Sequence, residues 1–137
     1  MFKTILLPID LNHDASWLKA LPAARGVASA DGTLHLLGIV PDFGMSMVAS
    51  YFPKDFEERA LGDMKAALEA FAAEHGGAET HVGHGHVPET ILSTAKSVGA
   101  DVIVMASHPP DELRSLLVGS HAEKVVRHAT TPVLVVR

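Results

Sequence analysis

The sequence predicts an α/β domain with a doubly wound, five-stranded parallel sheet and helices on both of its faces. Short apolar runs alternate along the whole chain with segments of helical periodicity, which is the pattern of such a sheet. The 137 residues are enough for one domain with a substantial core. Because no linker or internal repeat divides the chain, we predict a single domain over residues 1–137.

Five segments have the apolar or β-branched composition of strands. The first and fourth are almost continuously apolar, as buried parallel strands are, whereas the third alternates polar and small residues. That third strand is therefore predicted to lie at an edge of the sheet. The predicted strands are residues 2–9, 33–40, 79–85, 101–106 and 132–136.

Helical periodicity fills the gaps between these strands. The helices are predicted at residues 14–30, 54–75, 88–98 and 119–128, with loops at 41–53 and 107–118. Pro22 should kink or shorten the first helix, and Asp31-Gly32 should form a turn after it. Gly76-Gly77 should end the second helix, and Gly99 should follow the third.

Composition excludes several classes of protein. The chain has no cysteine, so disulfides and cysteine-based zinc or redox chemistry are absent. A formal net charge of −5 argues against binding to nucleic acid, which requires a basic face. No apolar run approaches the length of a membrane span, and the N-terminal apolar segment ends at Asp10 without signal-peptide features. We therefore expect a cytoplasmic protein without nucleic-acid or membrane partners.

Topology predicts where a ligand would bind. If the first strand is central, the order is 3-2-1-4-5, and the winding direction reverses between strands one and four. Ligands bind outside the carboxyl ends of the strands at such a point. Asp10, at the first of these ends, is either a turn or capping residue or an acceptor for a ligand hydroxyl or amine. The residues at the two ends are Pro8, Ile9, Asp10, Met105, Ala106, Ser107 and His108.

The start of the last helix carries a second feature. Ser120 and Glu123 fit the S-x-x-E capping box, in which each side chain satisfies a backbone N–H of the other. The free N–H groups of Gly119, Ser120 and His121 could instead receive a phosphate, aided by the helix dipole. The two roles are partly compatible, because a cap satisfies only some of the free N–H groups.

Nine histidines are present, and His81, His84 and His86 cluster near the third strand. His84 and His86 would share one face of that strand. A metal site needs three or four converging ligands, and no carboxylate or cysteine stands at a supporting spacing, so no metal site is predicted. His35 is interpreted as a core or boundary histidine.

The chain resembles the universal stress protein family over essentially its whole length. The matching segments are ILLPID at 5–10, GIV at 38–40, GADVIVMASH at 99–108 and LLVGSHAEKVVRHATTPVLVVR at 116–137. Nucleotide-binding members carry G-x-x-G, nine residues, then G-[S/T]. Here Ala106 and Pro109 replace the first two glycines, while Gly119 and Ser120 keep the last two. The segment 107–111 is similar to the S-H-x-P-D variant of the F-type bacterial branch, which is associated with ATP or ADP.

This resemblance implies that the chain binds ATP or a related adenine nucleotide, with Mg²⁺ only as part of the nucleotide complex. Adenine would lie between Asp10 and Val40, and ribose near Ala106. Arg114 could add positive charge. The phosphates would lie near His108, Gly119, Ser120 and His121. The nucleotide-binding residues that the resemblance implies also include Pro8, Ile9, Met105, Ser107 and Ala122.

The last strand is apolar and would leave a sheet edge uncovered. Such an edge tends to pair with another strand, and a two-fold copy is the simplest partner. The family is similar in this respect. A homodimer is therefore predicted through Val133, Leu134, Val135 and Val136.

Three functions remain open from the sequence. The first is a small stress-response or regulatory protein that binds an adenine nucleotide. The second is a dimeric interaction module of the same fold that binds no nucleotide, which the replaced glycines favour. The third is an enzyme, at most a slow ATPase using Asp10 or Asp111. No catalytic residue is assigned.

Overall fold

The computed structural model describes residues 1–40, 55–107 and 120–137, with only the backbone of Ser120. Its sheet has the order β3-β2-β1-β4-β5, and every strand pair is parallel. The predicted order is confirmed. The strands are β1 Phe2–Pro8, β2 Ala28–Val40, β3 Glu79–His84, β4 Val102–Ala106 and β5 Val133–Val136.

Four α-helices lie in the described ranges, and they cover both faces of the sheet. They are α1 Ala20–Val27, α2 Phe56–Glu74, α3 Val87–Val98 and α4 Ser120–His128, and a short 3-10 helix spans Asp14–Ser16. Helices α1 and α2 pack on one face, and α3 and α4 pack on the other. Among the described helices, none is long and apolar enough to cross a membrane.

The core is centred on β1 and β4, whose side chains are buried on both faces of the sheet. Ile5, Leu6 and Leu7 are fully buried, and so are Ile103 and Val104. Successive side chains of a strand point to opposite faces, so Ile5 and Leu7 pack under α1 and α2, whereas Leu6 packs under α3 and α4. Burial of each such side chain contributes about 1.5–3 kcal/mol. This explains why the central strands are apolar throughout.

The first predicted helix, residues 14–30, is wrong in its bounds. The 3-10 turn is separated from α1, which starts only at Ala20, and Ala28 already belongs to β2. Pro22 therefore lies in the first turn of α1 rather than in its interior. Its missing N–H costs nothing there, because the first N–H groups of a helix have no partner within the helix. The proline helps to define where the helix begins.

The turn predicted at Asp31-Gly32 lies inside β2, which is longer than predicted. Phe2 is opposite Ala28, but Thr4 is opposite Thr33, so β2 contains an irregularity of register here. Such a bulge places extra residues in one strand without ending it. Gly32 fits this close approach, because a Cβ on it would lie 2.9 Å from the carbonyl oxygen of Phe2. The Asp31-Gly32 pair therefore marks a bulge within β2 and not a turn between a helix and a strand.

The end of α2 is held by an aromatic cluster, which we call the Trp17 cluster. The Trp17 ring packs edge-on against Phe71 and His75, with centroid distances of 4.9 and 5.1 Å. Gly76 and Gly77 then take φ values of +89° and +88°, which favour glycine and end the helix as predicted. The cluster ties the segment after β1 to the far end of α2.

Strand β3 lies at the edge of the sheet, as predicted, but it ends at His84. His86 is the residue preceding α3, so the prediction that His84 and His86 share a strand face is wrong. The chain needs Gly85, with φ of +123°, to turn between them. The His84 Nδ1 atom lies 3.2 Å from Oε1 of Glu57 on α2. Within the described residues, no group of three or more His, Asp or Glu side chains is placed to hold a metal.

Candidate functional site

The carboxyl ends of β2, β1 and β4 meet at one end of the sheet. The chain winds from β1 through β2 to β3 in one direction, and β4 and β5 lie on the other side of β1. The winding thus reverses between β1 and β4, where the sequence analysis placed a ligand crevice. The topology brings Pro8, Ile9 and Asp10 to the same end of the sheet as Val40, Met105, Ala106 and Ser107.

The side chains at the ends of these three strands, which would form the floor of a crevice, are apolar and buried. Ile9, Val40 and Met105 are 7%, 3% and 6% exposed, and each belongs to the core, whereas Ala106 is half-buried. The backbone here is already bonded to the sheet: Ile9 N–H donates to the Leu37 carbonyl at 2.9 Å, and Ser107 N–H donates to that of Val136 at 2.9 Å. Because these backbone groups are already bonded, the residues could contact a ligand only through their apolar side chains.

Asp10 stands beyond the floor as an exposed carboxylate in a tight turn. Its Oδ1 accepts the N–H of Asn12 at 2.9 Å, and its Oδ2 lies 2.9 Å from Nδ1 of His13. Its backbone N–H donates to Oγ of Ser16, whose hydroxyl donates back to the Asp10 carbonyl. Asp10 is thus a turn residue, one of its two predicted alternatives. A carboxylate has about four acceptor positions, so about two remain for a ligand.

His13 was not among the predicted site residues. Its contact with Asp10 arises from the turn, whose Asp-x-Asn start is a known local signal for a side chain that bonds the backbone two residues on. The imidazole brings a titratable donor to the mouth of the crevice.

The start of α4 supplies the backbone N–H groups predicted to receive phosphate. The helix begins at Ser120, with His121 exposed and Ala122 buried beneath it. The predicted capping box involves the Ser120 side chain, which lies outside the described residues; Oε1 of Glu123 accepts a hydrogen bond from Arg127 at 2.9 Å, one turn further along. The predicted contacts His108, Arg114 and Gly119 lie outside the described residues, as do Pro109 and Asp111.

A small groove of about 180 Å³ adjoins the crevice between β4 and β5. It is lined by Ala106 and Ser107, by Val136, and by Ala15 and Leu18 after the Asp10 turn. Lys19 and Arg137 also line it and bring two positive charges to this end of an acidic protein. Residue spacing did not predict that these two residues share a groove, because they are 118 positions apart and come together only through the order of the strands.

A broader groove, about 640 Å³, lies at the opposite end of the sheet. Its walls are small residues and backbone from the start of β2 and the turn after α2. Arg25, its basic side chain, donates to the carbonyl oxygens of His75 and Gly77 and so closes the end of α2. The groove is wide and shallow, and we assign the candidate site to the crevice instead.

The sequence matches a known protein family and several of its members. The model of the universal stress protein family matches residues 1–137. Universal stress protein G of Salmonella typhimurium is 36% identical over 144 residues and covers 100% of both chains. The universal stress protein in the QAH/OAS sulfhydrylase 3′ region of Thermus aquaticus is 34% identical over 142 residues, again with 100% of both chains covered.

Solved structures agree with these sequence matches. The structure of hypothetical protein MJ0577 superposes with a TM-score of 0.75 at 25% identity, over 99% of this chain and 96% of that one. A universal stress protein in complex with cAMP superposes with a TM-score of 0.62 at 25% identity, over 99% and 97%. The full-length family match, the relatives above 30% identity and the shared sheet together show that the chain belongs to the universal stress protein family.

Proposed function

We propose that this chain binds an adenine nucleotide in the crevice at the carboxyl ends of β1, β2 and β4, and acts as a small nucleotide-responsive regulatory protein. One observation carries the proposal: a family member of the same fold is in complex with cAMP. Ligands of such a sheet bind where the winding reverses, which is between β1 and β4. The chemistry of the residues around the crevice fits such a ligand.

The adenine would lie between Asp10 and Val40. Val40 and Ile9 form a buried apolar floor against which a flat base can pack. The two remaining acceptor positions of the Asp10 carboxylate suit the exocyclic amine of adenine or a ribose hydroxyl. The Asn12 N–H donates to this carboxylate, and the Asp10 backbone N–H donates to Ser16 Oγ, so the turn holds the carboxylate in place and a ligand would lose little entropy in ordering it.

The ribose would lie near Ala106 and the phosphates near the start of α4. Ala106 is half-buried, and its methyl group narrows the approach that a glycine would leave open. The N–H groups of Ser120 and His121 at the helix start can donate to phosphate oxygens, with His108, Arg114 and Gly119 as further contacts. Lys19 and Arg137 add positive charge beside Ser107. Mg²⁺ would enter only with a nucleotide that carries it.

The test is a binding titration of Asp10→Asn against Asp31→Asn. Asparagine keeps one oxygen for the Asn12 N–H but replaces the other acceptor by a donor, so we expect about tenfold weaker binding of ATP or cAMP. Asp31 is an exposed carboxylate on β2 that pairs with Lys3 and lies at the other end of the sheet, so its variant should bind as the wild type does. Calorimetry gives both affinities, and chromatography of the denatured protein identifies any nucleotide that it carries.

Absence of any thermal shift with millimolar ATP, ADP, AMP and cAMP would refute the nucleotide proposal, because a ligand of the folded state must raise the melting temperature. The alternative, a dimeric interaction module, would then be favoured. Its structural basis is the β5 edge, where Val133, Leu134, Val135 and Val136 are half-exposed and pair with β4 on one side. We propose that this edge pairs with its copy in a homodimer, with or without nucleotide.

A further inference from the structure

Two histidines meet across the joint between the edge strand and the rest of the sheet. His35 of β2 and His81 of β3 both lie on the sheet face covered by α3, two residues apart in register. Nδ1 of His35 is 2.8 Å from Nε2 of His81, and the ring centroids are 5.1 Å apart with an interplanar angle of 20°. This is a direct hydrogen bond between imidazoles.

Such a bond limits how many protons the pair can hold. One ring nitrogen must donate and the other must accept. Two neutral imidazoles satisfy this, and so does a pair with one added proton, because the extra proton can sit on an outward-facing nitrogen. When both rings are protonated, every nitrogen carries a hydrogen, so two N–H groups face each other and two positive charges are adjacent. The contact is lost in that state.

The residues around the two rings disfavour the state in which both imidazoles are protonated. The register partner of His35 on β1 is Leu6, which is buried and apolar, and on β3 it is Glu79. Helix α3 covers this face with Ile91 and Ala95, and its charged residues Glu89 and Lys96 are exposed. Burial and the charge of His81 lower the pKa of His35, and Glu79, which acts to raise it, does not compensate.

We propose that His35 and His81 form a pH-sensitive latch, which joins the edge strand β3 to β2 while at most one of them is protonated and releases it when both are. The part of the molecule that responds to pH is the edge strand β3. The inference is independent of nucleotide binding, because neither residue belongs to the crevice.

The direction of the effect follows from the proton balance. In the unfolded chain His35 titrates near 6.5, whereas the folded pair resists the second proton. The unfolded state therefore binds more protons on acidification, and stability rises with pH in this range. The latch is fully closed above pH 6.5 and is lost as the pH falls through the lowered pKa of His35.

Hydrogen exchange of the β3 amides tests the latch in the intact protein. We expect the exchange rates of the β3 amides, after correction for the intrinsic exchange rate, to increase about three- to tenfold when the pH is lowered from 7.5 to 5.5. In His35→Asn and His81→Gln, an amide nitrogen replaces the contacting ring nitrogen but does not titrate, so this increase should disappear. His86→Gln is the matched control: it removes an exposed histidine just beyond β3 and should keep the wild-type response.

Equal pH responses in the wild type and in both amide variants would overturn the proposal. So would a response that is uniform over the sheet rather than concentrated in β3. Should neither variant fold, NMR of the wild-type imidazole nitrogens decides: a latch requires a scalar coupling across the His35–His81 hydrogen bond at pH 7.5 that vanishes at low pH. Independent titration of the two rings without such a coupling would also overturn it.

Discussion

The two edges of the sheet are built from opposite chemistry. The β3 edge carries Glu79, His81 and His84, and His84 is paired with Glu57 of α2. The β5 edge carries four apolar residues, Val133–Val136, and no charge. Charged side chains discourage the pairing of one strand edge with another, whereas an exposed apolar edge favours it. One edge is thus protected from strand pairing by its composition, and the other is suited to a partner strand.

The largest expected effect comes from breaking the β5 edge. The carbonyls of Pro132 and Val136 point toward β4, where they accept the N–H groups of Ile103 and Ser107. By strand alternation the N–H of Val135 points outward, so Val135→Pro removes a donor from the edge and none from the ladder. We expect the mass from light scattering at micromolar concentration to fall from that of a dimer to that of a monomer, with an unchanged circular dichroism spectrum.

The matched variant on the other edge is Val82→Pro. The N–H of Gly85 donates to the Val40 carbonyl, so alternation also points the N–H of Val82 outward. This substitution should leave the mass unchanged. A wild type that is monomeric at micromolar concentration, or an equal response to the two prolines, would contradict the contrast between the edges.

The next largest effect concerns how tightly β3 is held. A Cβ on Gly83 would lie 2.3 Å from Cγ2 of Thr90 on α3, so Gly83→Ala must push the helix or the edge strand away. We expect a loss of about 2 kcal/mol in the free energy of unfolding, measured with urea. Thr90→Ser removes the obstructing methyl group while keeping the hydroxyl that donates to the His86 carbonyl, so the double variant should recover most of the loss.

Gly62→Ala is the control for this series. Nothing lies within 4 Å of a Cβ on Gly62, which is exposed on α2, so alanine should stabilise the protein by up to about 1 kcal/mol. A Gly83→Ala variant as stable as the wild type would show that β3 moves freely and would remove the physical basis of a closed edge.

The smallest effect is expected at the seam between β1 and β4, which joins the halves of the sheet that carry the two edges. Desolvation acts to raise the pKa of the Asp101 carboxyl, but hydrogen bonds from the N–H groups of Lys3 and Thr4, each 2.9 Å, outweigh it and leave the pKa below its usual value. We expect Asp101→Asn to cost about 1 kcal/mol at pH 7, because asparagine keeps one acceptor oxygen but loses the charge and the second acceptor.

The pH dependence of this cost has a defined sign. The folded carboxyl binds its proton less readily than the unfolded one, so its contribution is present above pH 3.8 and is lost as the pH falls through the lowered pKa. Urea unfolding of both proteins between pH 3 and 7 measures it. A difference that stays constant across this range would show that the two hydrogen bonds do not depend on the charge of Asp101.

Much of the fold follows from sequence pattern alone. Alternating apolar runs and helical segments predict five parallel strands, and the polar third strand predicts an edge. Pro22 and Asp31-Gly32 were assigned less well, because each is a local signal with two structural solutions: a proline can kink a helix or start one, and a turn pair can end a strand or bulge it. The start of α1 at Ala20 decides the first case, and the register of β2 against β1 decides the second.

The candidate site was predictable in its position but not in its contacts. Asp10, Val40 and Ala106 reach the same end of the sheet because topology requires it. By contrast, the His35–His81 contact depends on the register between β2 and β3, and the shared groove of Lys19 and Arg137 depends on the strand order. Register and strand order are tertiary properties, which residue spacing along a single chain does not encode.

The Trp17 cluster has a spectroscopic consequence. Trp17 is the only tryptophan of the chain, so all indole emission comes from one position. It lies seven residues after Asp10 and directly after Ser16, whose hydroxyl oxygen accepts the Asp10 N–H. Its ring rests on Phe71 and His75 at the end of α2. The protein thus contains a single native fluorophore between the mouth of the crevice and a helix end, and its emission reports on that junction without any added label.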